Sequence, residues 1–283
     1  MASLTIAQAL QRAPLLHAVS ESPRLDIELI LCHILQKNRT WLYTWPDHLL
    51  ADESLRQFET CLARRETGEP IAHIIGEREF WSLPLLVNNS TLIPRPDTEV
   101  VVEQVLASFA EDAPTQVRRC LDLGTGTGAI ALALASEKKH WQVLAVDRSA
   151  DAVALARTNV ARLRLPNVQV LCSDWFSAIP AQTFDVIVSN PPYIDPQDSH
   201  LEQGDVRFEP RSALVAGNAG LADIEAILEQ APAYLAVGGW LLIEHGYDQG
   251  RAVRDLFCAS GLVQVSTRRD YAHNERVTFG QRA

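Results

Sequence analysis

At 283 residues, with 47% hydrophobic and 21% charged residues, the chain is long enough for one large globular domain, or for a large and a small one. Its formal net charge of −10 argues against a surface built to grip duplex nucleic acid, which draws most of its affinity from Lys and Arg on phosphates, although it leaves room for a local basic patch. The five cysteines (Cys32, Cys61, Cys120, Cys172, Cys258) form no C-x-x-C pair and the eight histidines no pair at ligand spacing, so the sequence predicts neither a disulfide frame nor a metal site.

The first 75 residues read as short helices forming a small all-helical domain. Ile6, Ala9 and Leu10 share one face, as do Leu25, Leu29 and Cys32, and later Leu55, Phe58 and Leu62. Asp52 is placed to cap the last of these helices at its N-terminus and Gly68 to end it. Trp41, Tyr43 and Trp45 cluster between helices, where they either pack between them or present a docking surface. Residues 76–94 read as a β-hairpin linker, broken at Pro84 and at the turn Asn88-Asn89-Ser90.

From residue 95 to 283 the pattern changes. Pro96 and Asp97 open a helix, and then β-rich runs (CLDL, WQVLAVD, VQVLCSD, FDVIVSN, GWLLIEH) alternate with helical segments. Such alternation builds βαβ units on a parallel sheet, so the expected fold class is α/β: a doubly wound, mostly parallel sheet following a small helical domain.

The run LDLGTGTGAIALALA sets Gly124, Thr125, Gly126, Thr127 and Gly128 between a strand and a helix. Glycines there let backbone approach a ligand at the positive end of the helix. Asp147 ends the next strand, about 20 residues on, where a carboxylate accepts ribose hydroxyls. The two features predict a nucleoside site. Taken alone the loop admits S-adenosylmethionine, NAD (Gly124, Gly126 and Ala129 fit G-x-G-x-x-A) or a structural turn. Asp122, just before the loop, tilts the choice toward a cationic amino-acid moiety rather than a pyrophosphate. Asp174 and Trp175 supply an acceptor and a ring for an adenine, Trp175 having a core role as the alternative.

The stretch FDVIVSNPPY decides for S-adenosylmethionine. Asn190 ends a strand on the same sheet edge as the loop and Asp147. Its side-chain oxygen and a neighbouring backbone carbonyl are two acceptors, the complement of one NH2 group. Pro191 and Pro192 stiffen the segment and donate nothing, and Tyr193 offers a face for a flat amide or base. A delocalised amide or amine nitrogen is a poor nucleophile that turns cationic as it takes a methyl group, so fixed acceptors on its N–H groups strengthen in the transition state. The alternative is a plain turn after a strand.

From about residue 75 to the C-terminus the chain resembles the protein-glutamine N5-methyltransferases that act on peptide chain release factors. The resemblance is carried by REFWSLPL, TLIPRPDTE, DLGTGTGAIALALA, AVDRSADAVALA, SDWF, SNPPYI, GDVRFEP and DYAHNERV. It implies a methyltransferase sheet with S-adenosylmethionine held by Gly124 to Gly128, Asp147, Trp175 and Asn190. It also implies a substrate glutamine, that of the Gly-Gly-Gln motif of class-1 release factors, held by Asn190, Pro191, Pro192 and Tyr193. The helical N-terminal part resembles the portion that docks the release factor. Ala272 departs from the pattern, many relatives having Gly in that turn.

Three rivals stand beside this reading: a ribosomal-protein glutamine methyltransferase, an adenine-N6 DNA methyltransferase and a non-catalytic cofactor-binding adaptor. The acidic balance opposes the DNA reading, and the intact loop and clamp oppose the adaptor. No basic segment followed by an apolar core opens the chain, and no apolar run approaches the roughly 20 residues that span a bilayer, so the expectation is a cytoplasmic protein without direct nucleic-acid or membrane partners. Arg95 and Thr98 are candidates for the cofactor's amino-acid end, and Glu209 and Arg211 for the substrate entrance.

Overall fold

A computed structural model describes residues 4–202 and 204–283. The chain divides into two compact units: one runs to Glu77 and also takes in Ser199–Phe208, and the other holds Arg78–Asp198 and Glu209–Ala283.

The first unit packs α1 (Ile6–Leu10), α2 (Pro23–Leu35), α3 (Arg39–Thr44), α4 (Asp52–Glu66) and α5 (Ile71–Ile75) around Ile6, Ile27, Ile30, Leu31, Leu42, Phe58 and Leu62. Thr5 closes a capping box on α1 with Gln8. The inward face of α2 differs from the one expected. Ile27, Ile30 and Leu31 are buried and Leu25 is exposed, because Asp26 and Glu28 go inside with them. Asp26 meets Arg65 at 2.7 Å, and Glu28 collects Arg24, Arg39 and the Tyr43 hydroxyl. Asp52 is the first residue of α4, not its cap, which is Ala51. Past the end of α4, Gly68 takes φ +91°, and Arg207 donates to the Thr67 carbonyl beside it. Of the three clustered aromatics, Tyr43 and Trp45 are exposed and Trp41 packs edge-on against His48.

β1 (Glu77–Phe80), which starts at the last residue before the second unit, and β2 (Leu83–Leu86) form the expected hairpin, but its turn is Trp81-Ser82. Both residues have positive φ, as a two-residue type I′ turn requires. The Trp81 backbone N–H donates to Glu99 and its indole N–H to Glu137, each at 2.8 Å, so side chains elsewhere hold a turn that contains no glycine. A 3₁₀ turn (Pro96–Thr98) leads into α6 (Glu99–Ser108).

The sheet then builds from β3 (Arg119–Leu123), β4 (Gln142–Asp147), β5 (Val168–Cys172), β6 (Phe184–Ser189), β7 (Leu235–Glu244), β8 (Leu262–Arg269) and β9 (Glu275–Arg282) in the order β5-β4-β3-β6-β7-β9-β8. The first five are parallel; β9 runs antiparallel to both β7 and β8. The helices between strands are α7 (Ala129–Glu137), α8 (Ala150–Leu163), the short turn α9 (Gly217–Gly220), α10 (Ala222–Tyr234) and α11 (Gly250–Ala259). Every residue of α7 from Ala129 to Ala135 is buried, which is why AIALALA has no polar face. The chain starts the sheet at β3, winds outward through β4 and β5, and returns to lay β6 on the other side of β3. That reversal leaves a crevice beyond the carboxyl ends of β3 and β6, where ligands of open α/β sheets bind. Among the described residues no helix is long and apolar enough to cross a membrane.

Candidate active site

A pocket opens at that switch point. It is lined by the loop after β3 (Gly124–Thr127), by Asp147 at the end of β4, by Asp174 and Trp175 after β5, and by Asn190 and Pro192 after β6. Thr91, Leu92, Arg95 and Thr98, ahead of α6, close one side.

The glycine loop is fixed from several directions. The Thr125 N–H donates to the Val146 carbonyl, and the Gly126 N–H to Asp147 Oδ2 at 3.0 Å. The fully buried Asn159 on α8 donates to the Thr127 and Leu86 carbonyls and so ties the loop to the hairpin. Gly128 has φ +89°, and a Cβ there would stand 3.0 Å from Leu132, so this position admits only glycine without strain. At Gly124 a Cβ would touch the Trp175 ring at 3.5 Å, inside the pocket.

Asp122 plays a different part from the one expected. It is 1% exposed and does not line the pocket. Its Oδ2 accepts the Thr125 hydroxyl at 2.6 Å and the Ala131 N–H at 3.2 Å, so it braces the loop against the start of α7. Burial, aided by the nearby Asp147, raises its pKa to about 7 against the hydrogen bonds that favour the charged form.

Trp175 walls the pocket from a left-handed backbone (φ +46°), an unfavourable conformation for a bulky residue; the Ser173 hydroxyl holds its carbonyl at 2.8 Å. Asn190 follows β6 directly, and its Nδ2 donates to the Thr98 hydroxyl at 3.1 Å. Pro191 is buried and Pro192 faces the pocket. The Tyr193 carbonyl accepts from Gln249, while its hydroxyl lies 3.5 Å from Glu244. Burial and the neighbouring Glu244 push the Tyr193 phenol well above its ordinary pKa, so it remains protonated. Ile194 bridges Val215 and locks the following strandlike segment.

Of the predicted site residues, Gly124, Thr125, Gly126, Thr127, Asp147, Trp175, Asn190 and Pro192 come together around one pocket; Gly128, Pro191 and Tyr193 do not line it. Arg95 and Thr98 line it as well. Glu209 is buried, accepting the Ile93 N–H and the Arg95 guanidinium at 2.8 Å each, so it braces the segment ahead of α6. Two polar residues went unnoticed in the sequence. Thr91 lines the pocket with a buried hydroxyl that has no partner among the described residues. Glu244, 2% exposed at the end of β7, stands behind Thr98 and Tyr193. Both lie in stretches quoted above, TLIPRPDTE and GWLLIEH, but nothing in composition or spacing marks a role for either side chain.

These residues fit S-adenosylmethionine. Trp175, Leu92, Ile130 and Pro192 give the lining apolar surface of the kind a purine needs. Asp147 offers a carboxylate at the β4 end, and the unpartnered Thr91 hydroxyl offers a further polar contact.

Residues 8–76 match the family described as PrmC N-terminal domain, and residues 100–207 the family described as methyltransferase small domain. The release factor glutamine methyltransferase of Escherichia coli (strain K12) is 56% identical over 262 residues, covering 93% of each chain. The protein of that name from Shewanella oneidensis is 53% identical over 98% of this chain and 96% of its own. Among solved structures, a methyltransferase from Pyrococcus furiosus superposes with a TM-score of 0.54 at 18% identity, over 81% of this chain and 99% of the other, a likeness of fold.

Proposed function

The chain belongs to the release factor glutamine methyltransferases, and on that premise we propose how its pocket carries out methyl transfer to a glutamine side chain. The donor is S-adenosylmethionine, whose sulfonium supplies an electrophilic methyl group. The acceptor is the side-chain N5 of the glutamine in the Gly-Gly-Gln motif of class-1 release factors, a modification that serves translation termination.

The observation that carries this reading is the Asn190–Thr98 hydrogen bond at the pocket edge. With Nδ2 committed to Thr98, Asn190 has its oxygen left to accept an N–H from a substrate amide. As the nitrogen forms its bond to carbon, the bond from carbon to sulfur breaks and positive charge moves onto the nitrogen. An acceptor already fixed against that N–H strengthens as the charge grows, without reorganising. Pro192, on the pocket wall, confines the amide plane, which keeps nitrogen and methyl in line. The methylated nitrogen is then strongly acidic and loses a proton to water, so the site needs no poised base. Gly124 to Thr127, Asp147 and Trp175 hold the cofactor; Gly128 and Pro191 keep the two loops in shape. The helical N-terminal unit docks the release factor, and neither nucleic acid nor membrane takes part.

The test is incubation of the purified protein with isotopically labelled cofactor and a release factor, beside a release factor whose motif Gln is changed. One added methyl on that Gln by mass spectrometry, and none on the variant, is the expected result. Label on a ribosomal protein, on DNA, or nowhere overturns the reading.

A further inference from the structure

On the reading of Asn190 as an acceptor for the substrate amide, we propose that Gln249 is a positioning residue for the transfer. From outside the pocket it fixes the backbone of the clamp that runs from Asn190 to Tyr193, and with it the backbone carbonyl that serves as second acceptor for the substrate NH2.

The clamp cannot hold itself. β6 ends at Ser189, and Asn190 is followed by two prolines, which have no N–H to donate. No backbone N–H among the described residues donates to the Pro191 or Pro192 carbonyl, so both lack the ladder bond that a strand would give them. The segment is therefore aimed by what grips its two ends. At one end Asn190 Nδ2 donates to the Thr98 hydroxyl at 3.1 Å. At the other the Ile194 N–H donates to the Leu214 carbonyl, and the Tyr193 carbonyl accepts from Gln249 Nε2 at 3.1 Å.

Gln249, just ahead of α11, has one orientation open to it. Its Oε1 accepts the Gly246 N–H at 2.8 Å, and its Nε2 donates to the carbonyls of Tyr193 and Ala219, each at 3.1 Å. The N–H only donates and the carbonyls only accept, so a turned amide would lose all three bonds. Two glycines wall this amide. A Cβ at Gly246 would stand 3.0 Å from Oε1; one at Gly220 would stand 2.6 Å from Nε2 and 2.0 Å from the Tyr193 oxygen. The chain that presents the Ala219 carbonyl is strained as well: Asn218, Ala219 and Gly220 have successive φ values of 53°, 51° and 82°. Strain of this kind persists where the surroundings over-determine it, and it gathers at sites that need a fixed geometry. Here Asn218 is tied to Glu225 at 2.7 Å and Ala219 to Gln249. Three loops, after β6, at α9 and ahead of α11, thus meet on one side-chain amide.

Neither Gln249 nor Gly220 lines the pocket, so Gln249 reaches the reaction through Tyr193. As the methyl group moves to nitrogen, both N–H groups of the substrate amide gain positive charge, and each is stabilised by an acceptor already in place. The Asn190 oxygen is one. The other is a backbone carbonyl of the clamp, whose direction follows the peptide planes between Asn190 and Tyr193. The bond from Gln249 restrains the plane that ends the clamp. A slack clamp costs alignment and therefore rate, and leaves the cofactor's own contacts in place.

The experiment measures kcat, KM for a release factor, cofactor affinity and melting temperature for Gln249→Glu, Gln249→Met, Gly220→Ala and Asn190→Ala. Gln249→Glu keeps the length and the acceptor for Gly246 but turns a carboxylate oxygen toward two carbonyls; Gln249→Met keeps the length alone. Both are expected to lower kcat about tenfold, the factor one net hydrogen bond is worth, with cofactor affinity unchanged. The double variant Gln249→Glu/Gly220→Ala is expected to be no worse than the poorer single one, since both act through the Tyr193 carbonyl. Wild-type kcat in Gln249→Glu beside a loss in Gln249→Met places the role in the Gly246 bond and overturns the proposal. So does a kcat that falls only in step with cofactor affinity, or effects that multiply in the double variant. An inactive Asn190→Ala beside Gln249 variants of wild-type kcat overturns the positioning role and leaves the Asn190 reading standing; wild-type kcat in Asn190→Ala overturns that reading itself. If Gln249→Glu does not fold, Gln249→Met decides on the same split between kcat and cofactor affinity.

Discussion

The carboxylate of Asp147 accepts the backbone N–H of Gly126 at 3.0 Å through one oxygen and that of Ser149 at 2.9 Å through the other. It therefore joins the glycine loop after β3 to the start of α8 while lining the pocket between them. A carboxylate oxygen has more than one lone pair, so both retain capacity for ribose hydroxyls. Asp147→Ala removes loop support and ligand contact together. Each hydrogen bond to a charged group is worth about 1.5–3 kcal/mol, so the loss of cofactor affinity is on the order of a hundredfold. Calorimetry that finds the affinity intact would rule out this role.

Asn190→Ala separates chemistry from binding. The side chain lines the pocket and is anchored through its Nδ2 on Thr98, and on the proposed reading its oxygen serves the reacting nitrogen, so its removal is expected to leave cofactor affinity nearly unaltered. Loss of a preorganised partner of the charge that develops costs on the order of 100- to 1000-fold in turnover. Single-turnover rates compared with cofactor affinity distinguish the two effects.

The site was legible in the sequence where local chemistry alone dictates geometry. Three alternate glycines between a strand and an apolar helix, and an Asn-Pro-Pro-Tyr run after another strand, mean much the same in any parallel sheet, and the structure brings both to one crevice. What escaped depends on contacts between residues far apart in the chain. The inward face of α2 differs from the one that the apolar spacing suggests because it includes Asp26, whose burial depends on Arg65 on another helix. The Trp81-Ser82 turn carries no Gly or Asn to announce it, since Glu99 and Glu137 hold it from outside. Asp122 was assigned to the ligand for its charge, although its hydroxyl and N–H partners turn it inward. The Ala272 departure is harmless because the positive φ of that turn falls on His273.

Gly220 controls the far side of the clamp. Its φ is +82°, and a Cβ would stand 2.0 Å from the Tyr193 carbonyl oxygen and 2.6 Å from Gln249 Nε2. Gly220→Ala must therefore displace the Tyr193 segment and break its hydrogen bond to Gln249. Stability falls on the order of 1–3 kcal/mol from strain and overpacking, and turnover falls more than cofactor affinity. A variant with wild-type melting temperature and rate would show the segment to be freer than it is drawn.

The net charge of −10 predicts an electrostatic contribution to encounter with a basic partner surface. Stopped-flow association with a release factor should slow as salt rises, because screening shortens the range of attraction. A rate indifferent to salt removes steering from the account.

Asp122 makes the sign of a pH effect testable. Its ordinary pKa of 3.8 rises to about 7 in the fold, through burial first and the Asp147 charge in addition. The unfolded chain releases this proton near pH 4 and the folded chain near pH 7. Between those values the folded state holds the extra proton, so this group's contribution to stability falls as pH rises and is constant above 7. Asn at 122 keeps an oxygen for Thr125 and Ala131 without the burden of a buried charge. Asp122→Asn should thus gain stability relative to the wild type on going from pH 4 to pH 8, with an upper limit of about 4 kcal/mol for three pKa units. Urea unfolding of both chains across that range tests it, since the other titrating groups, Glu244 among them, are common to the two. An offset that stays constant with pH would mean that Asp122 is ionised in the fold at much the same pH as in the open chain.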